Sequence, residues 1–299
     1  MDEKTFLVLT AGTQIAFLAA DVVNARRAAP RSGERLRPAS ILFLAAVILV
    51  YGAIQVAGLA LVPEVDRVLS WANRTLPQVT LVDLSSVTVP TAAWLAAGVL
   101  LFYVAGFWDY LTHRFASHSR ALFFTHEYHH LPNRLFLALP GLSVRPFAVV
   151  ATLPALLGTV FSLALGLRLT NLGSVDAMPL VYVVVFAHTV ILAVTHSEFF
   201  VGLRWMQPAM SRLGLTSPQE HELHHTVDLR GNYGNFTLVW DRLFGTYLDP
   251  NRPENQSHPL GLGYDRDYLG AITAGHLSLP KSVRDRFQVG HFCNLREDK

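Results

Sequence analysis

The chain has 299 residues, of which 51% are apolar and only 15% charged, with a mean hydropathy of +0.33. An average soluble domain carries roughly 25% charge, so the composition points to a membrane protein. A formal net charge of +2 with no long basic stripe argues against a nucleic-acid binder. The single cysteine, Cys293, excludes an internal disulfide, a Cys-rich zinc site and an iron–sulfur cluster held by this chain alone, so any metal must rest on histidine and carboxylate.

In chain order, residues 5–20 form a short apolar stretch interrupted by Gln14. With neither a basic start nor a clear small-residue cleavage site, it reads as a marginal span rather than a signal peptide. The Ala/Arg/Pro segment 24–38 is a linker. Four longer stretches free of Asp, Glu, Lys and Arg follow, at 38–63, 84–108, 146–167 and 177–195. Each is long enough to cross a hydrocarbon core, which takes roughly 20 residues at ~1.5 Å per residue. The expected fold is therefore an all-α integral membrane protein of four to five transmembrane helices.

Loop charges orient these spans. Arg26, Arg27, Arg31, Arg35 and Arg37 precede the second stretch, whereas the following connection has only Arg67 and Arg74 against Glu64, Asp66 and Asp83. The positive-inside rule puts the arginine-rich loop in the cytoplasm. Counting onward, the stretch ending at Trp108 emerges on that side and the hairpin 146–195 returns to it. The polar region beyond Thr195 then forms a cytoplasmic, histidine-rich helical cap. The expected division is an N-terminal transmembrane region over 1–108, a catalytic domain over 109–247 and a cytoplasmic tail over 248–299.

Ten of the thirteen histidines fall between His113 and His225. DYLTHRFASH supplies Asp109, His113 and His118; THEYHH supplies His126, His129 and His130; EHELHH supplies His221, His224 and His225. H-x-x-H-H thus occurs twice. On a helix, positions i, i+3 and i+4 share one face, with Cβ atoms roughly 5–6 Å apart, so each triplet converges on one or two points. Imidazole in such numbers suits iron or zinc. His113 and His118 point ~140° apart on an ideal helix, so a bend or a bridge across two sites is required. Asp109, one turn before His113, is placed to orient that imidazole.

His196, at the end of the last span, is a further candidate ligand. His188 lies eight positions earlier, roughly 12 Å along a helix, and reads as an ordinary hydrogen-bonded core residue. His258, His276 and His291 are isolated in the polar tail. Both triplets also satisfy H-E-x-x-H, in which two histidines bind zinc and the glutamate, here Glu127 or Glu222, is general base. An intramembrane zinc protease is therefore the alternative function. Duplication of the pattern, the extra histidine in each copy and the preceding His113 and His118 count against it, because a single-zinc protease uses three protein ligands and an open position.

The ordered motifs HRFASH, HEYHH, THSE, HELHH and NYGNFTLVWDRLFGTY, spanning 109–247, resemble the fatty acid hydroxylase and sterol desaturase superfamily. The last motif includes Asn232, Gly234, Trp240, Asp241, Phe244, Gly245 and Thr246. The resemblance implies two iron ions, dioxygen as co-substrate, and hydroxylation or desaturation of a sterol, fatty acyl chain or related lipid. It carries a metal-ligand role onto His113, His118, His126, His129, His130, His196, His221, His224 and His225, and makes Asp109 and Asp241 the candidate catalytic carboxylates. Tyr128, Tyr233 and Trp240 are candidates to shape the cavity. Two departures stand out: Glu198 where members often have Asn, and a long insertion over 199–219.

No strand-bounded G-x-G-x-x-G and no fused haem domain are evident, so electrons are expected from an external ferredoxin, cytochrome or reductase. Arg204, Arg212, Arg230, Arg242 and Arg252 are placed to meet such a partner, though solvated arginine is the ordinary state of such residues.

Overall fold

The computed structural model describes residues 1–27, 62–77, 79–86, 88, 91–131, 148–172 and 176–283. The expected span over 38–63 lies outside the described residues except for its last two.

The described chain is helical, and its β-structure is confined to isolated antiparallel bridges, Leu215 with Thr237 and Thr226 with Leu260. The elements in order are α1 (Glu3–Arg27), α2 (Val62–Thr75), α3 (Thr91–Leu111), a π-helical turn (Thr112–Ser117), a 3₁₀ turn (Phe123–Thr125) and α4 (Glu127–His130). Then come α5 (Ala148–Leu169), α6 (Met178–Thr195), α7 (Glu198–Val201), α8 (Met206–Arg212), α9 (Pro218–His224), α10 (Val239–Leu243), a second 3₁₀ turn (Pro253–Asn255) and α11 (Tyr268–Ile272).

Two of these are long and apolar enough to cross a membrane: α3 with its π-turn, Thr91–Ser117, and α6, Met178–Thr195. The described residues thus show two such helices rather than four to five. The apolar stretch of α5 is shorter, Leu153–Leu169. In α1 a buried Asp21, only 2% exposed, stands among the apolar residues. The stretch expected to begin at residue 84 becomes helical only at Thr91; before it, Leu81, Val82 and Leu84 donate backbone hydrogen bonds to the end of α5 at Leu169 and Thr170.

The long helices pack as a bundle, α3 against α5 and α6, α1 against α6, and α2 against α5. Leu101 and Phe102 of α3 meet Val184 and Ile191 of α6 in one core, and Leu69 and Ala72 of α2 meet Val160 and Ala164 of α5 in another. The approach of α5 to α3 depends on Gly158, where a Cβ would lie 2.2 Å from the Trp108 ring. That indole donates to Ser162 Oγ at 2.9 Å across the same contact. Opposite these seams, Leu95, Val99 and Leu100 of α3 and Leu153, Leu156, Leu157 and Phe161 of α5 are exposed. Apolar rows of this extent fit a lipid environment rather than water.

The chain after α6 is stitched to the bundle at several points. Tyr103 donates to Leu213 O at 2.5 Å, and Trp240 Nε1 donates to Tyr103 O at 2.9 Å. Asp21 of α1 accepts from Ser197 Oγ at 2.6 Å and from Phe199 N at 3.4 Å, which ties the first helix to the residues just after His196.

Candidate metal centre

Four local structures deliver the histidines. At the end of α3 the helix widens by one residue: His118 N donates to His113 O at 3.0 Å, an i to i+5 bond. In this π-turn, residues five apart come nearly into line, which supplies the bend that His113 and His118 require. The short helix α4 carries His129 and His130, with His126 as its N-cap. His196 caps the C-terminus of α6. The last triplet rides on α9, whose start is fixed by a capping box: Glu220 N donates to Ser217 Oγ, Ser217 N donates to Glu220 Oε2, and Pro218 occupies the first turn.

All nine predicted ligands come together, in two groups. His113, His118, His126, His130 and His224 form one, and His129, His196, His221 and His225 the other; within each, ligand atoms lie within 4.8 Å of one another. The two triplets interlock. Each gives its i, i+4 pair to one cluster, His126 with His130 and His221 with His225, and sends its middle histidine, His129 or His224, to the other. His188 joins neither: it stacks on Phe236 with ring centroids 4.1 Å apart, and its Nε2 lies 3.3 Å from Phe102 O, as expected of a core residue.

The nitrogen chemistry fits a cation. His113 Nδ1 donates to Tyr233 O at 2.5 Å and His224 Nδ1 donates to Gly231 O at 3.0 Å. A carbonyl only accepts, so in the neutral rings each proton sits on Nδ1 and each Nε2 carries a bare lone pair. Those two Nε2 atoms face each other at 3.1 Å. Two lone pairs so placed repel unless a cation lies between them. His196 repeats the pattern, with Nδ1 on Leu192 O at 2.8 Å and Nε2 at 2.9 Å from His221 Nε2. His130 Nε2 is buried without a hydrogen-bond partner. Burial, reinforced by neighbouring imidazoles, holds His126, His130, His221, His224 and His225 well below the ordinary histidine range, and burial brings His196 to about 4. They are therefore neutral, the form that binds metal.

One loop, residues 231–235, supports the five-imidazole cluster, since its carbonyls Gly231 O and Tyr233 O hold His224 and His113. Asp241 accepts from Tyr233 N and Gly234 N, both at 2.8 Å, and from Thr246 Oγ1 at 2.7 Å. Burial raises the Asp241 carboxyl to about 6 against the pull of these donors. Asp109 accepts from Asn235 N at 3.1 Å and Asn235 Nδ2 at 3.0 Å. Asp109 therefore does not orient His113 directly, as the sequence spacing suggested; it fixes the loop whose carbonyl does. Both carboxylates thus accept from the same loop.

Asn232, in a left-handed conformation at φ 50°, donates to Glu220 O and Leu248 O and accepts from Leu248 N, joining α9 to the chain beyond α10. Gly234 lets the loop close: a Cβ there would stand 2.0 Å from Thr237 O.

Of the glutamates in the two H-E-x-x-H motifs, Glu127 is engaged by the C-terminal segment. Its carboxylate accepts from Tyr264 Oη at 2.6 Å and Arg266 Nε at 2.8 Å. Glu222 is half-buried on α9. Neither Tyr264 nor Arg266 was singled out in the sequence, where nothing in their spacing connects them to α4. The same C-terminal segment donates Gly261 N to His225 O at 3.0 Å. Tyr128 is buried beside the ligands, Tyr233 rings contact His113, His118 and His224, and Trp240 packs against Phe107.

A helical, membrane-associated protein with two buried imidazole clusters is the class that fold and site define. Residues 98–246, about half of the chain, match the fatty acid hydroxylase family, and with the ordered histidine motifs this places the chain in the fatty acid hydroxylase and sterol desaturase superfamily. It is 29% identical over 165 residues to the ornithine lipid hydroxylase OlsE of Rhizobium tropici, covering 52% of this chain and 43% of that protein. It is also 29% identical over 164 residues to the fatty acid hydroxylase vlmA of a Lecanicillium species, with the same coverage. The chain thus spans less than half the length of these relatives. No solved structure matches it.

Proposed function

We propose that this protein is a membrane-bound lipid hydroxylase whose two imidazole clusters each hold one iron, with dioxygen as co-substrate and electrons from an external ferredoxin, cytochrome or reductase. The observation that carries this reading is the division of nine histidines into two groups, in which the Nε2 atoms of eight face one another at 2.8–3.4 Å and those of His113, His196 and His224 are left bare by Nδ1 bonds to backbone carbonyls. Iron in such a site would supply reduction of dioxygen and cleavage of an unactivated C–H bond. The chain's own part is to hold the imidazoles neutral and oriented, to exclude water and to position the lipid.

Hydroxylation is favoured over desaturation because both relatives are named hydroxylases. The membrane setting follows from the apolar spans, and the arginine-rich segment 26–37 favours a cytoplasmic active site. A zinc protease is disfavoured by five and four imidazoles per cluster and by the engagement of Glu127 with Arg266. The deciding experiment supplies reductant and lipid extract to purified, iron-loaded protein under labelled dioxygen. Oxygen uptake with label in a hydroxylated lipid supports the proposal; oxygen-independent peptide cleavage overturns it.

A further inference from the structure

The two imidazole clusters are not equally accessible. A cleft of about 380 Å³ reaches His118, His130 and His224, three members of the five-imidazole cluster, and no member of the four-imidazole cluster lines it. Those four rings are at most 7% exposed. The cleft's wall mixes apolar and aromatic groups, among them Phe123, Leu229 and Tyr264, with two cations, Arg120 and Arg230. No carboxylate lines it among the described residues, and the nearby Asp228 lies instead 3.6 Å from His258.

The arginines are available to a ligand. Arg230 spends only Nη1, on the carbonyls of Val227 and Leu229, which fixes the side chain and leaves the rest of its fork open. Arg120 is exposed, with no hydrogen bond or ion pair among the described residues. Guanidinium groups are suited to carboxylate and phosphate, which they bind through paired N–H donors. The volume is at the small end of the ~300–1,000 Å³ of ligand pockets. It takes a polar head and the adjoining carbons rather than a whole acyl chain.

We propose that this cleft is a head-group subsite for an anionic lipid, in which Arg120 and Arg230 bind a carboxylate or phosphate and bring the adjoining carbons against the five-imidazole cluster. This rests on the hydroxylase reading for its substrate, but not for its test, which measures binding. The purified, metal-loaded protein in neutral detergent is titrated with palmitate, with hexadecyl phosphate and with uncharged methyl palmitate, and metal content is measured on the same samples.

At least one of the two anions is expected to bind about tenfold or more tightly than the ester, since charge-assisted hydrogen bonds are roughly twice as strong as neutral ones. The carboxylate and phosphate arms distinguish a fatty-acid-like head from a phospholipid-like one. In Arg120→Gln/Arg230→Gln the preference should fall below about threefold with metal content unchanged, and Arg252→Gln, on an exposed turn, should keep it. Leu229→Trp, which fills the cleft, should weaken all three ligands together. Equal binding of anions and ester by the wild type, or a preference that survives the double substitution, overturns the proposal. If the protein proves to carry no metal yet shows the arginine-dependent preference, the hydroxylase reading fails and the subsite stands.

Discussion

Asp109 and Asp241 hold opposite ends of one short loop: Asp241 takes the amides of Tyr233 and Gly234, and Asp109, on a different helix, takes the amide and side chain of Asn235. Between them the Tyr233 carbonyl points at His113 Nδ1. The clamp fixes the tautomer and direction of His113 without touching it. Replacing Asp241 with Ala would leave the buried Gly234 amide and the part-buried Tyr233 amide without their acceptor, a cost of roughly 3 kcal/mol. Thermal unfolding should move down accordingly, and metal affinity should fall about 10- to 100-fold, as for other groups that orient ligands. Unchanged affinity in a folded Asp241→Ala protein would remove the clamp from the account of the site.

Metal stoichiometry tests the two clusters separately. The wild type should carry about two metals per chain when purified under reducing conditions. His224→Ala should lose one by opening the five-imidazole cluster and His129→Ala one by opening the four-imidazole cluster, while the double variant loses both. His276, exposed and a member of neither group, serves as the control. A wild-type value near one would contradict separate sites.

Glu127 separates the oxygenase from the protease. Because its carboxylate is engaged by Tyr264 and Arg266, Glu127→Gln should lower stability by about 1–3 kcal/mol through the weakened charge-assisted bonds and still turn over lipid. The double variant Glu127→Gln/Glu222→Gln should also retain measurable oxidation. Abolished turnover with full metal and an intact fold would restore a general-base role.

Topology gives an independent check. With Cys293 replaced by Ser, single cysteines at Arg120 and at Glu254, both exposed, should react with a membrane-impermeant reagent from the same, cytoplasmic face. Labelling from opposite faces would be incompatible with one site built from both regions.

The sequence by itself singled out the nine histidines that the structure gathers. Nine histidines in two repeated triplets and three flanking positions are local patterns, and helix periodicity predicts that i, i+3 and i+4 meet. It also marked His188 as a packing residue. The sequence did not determine how the nine divide. A triplet's periodicity brings its rings to one face, but whether the middle ring serves the same metal depends on where the facing helix stands, and only packing of α4 against α9 and the end of α6 sets that. The π-turn at His113–His118 was signalled by a misfit of angle, without its form. Asp109 was singled out, yet its partner is Asn235, 126 positions away. Arg266 reaches Glu127 across 139 positions. Such contacts leave no periodic trace, because hydrogen-bond partners distant in the chain are chosen by the closed backbone and not by their neighbours in sequence.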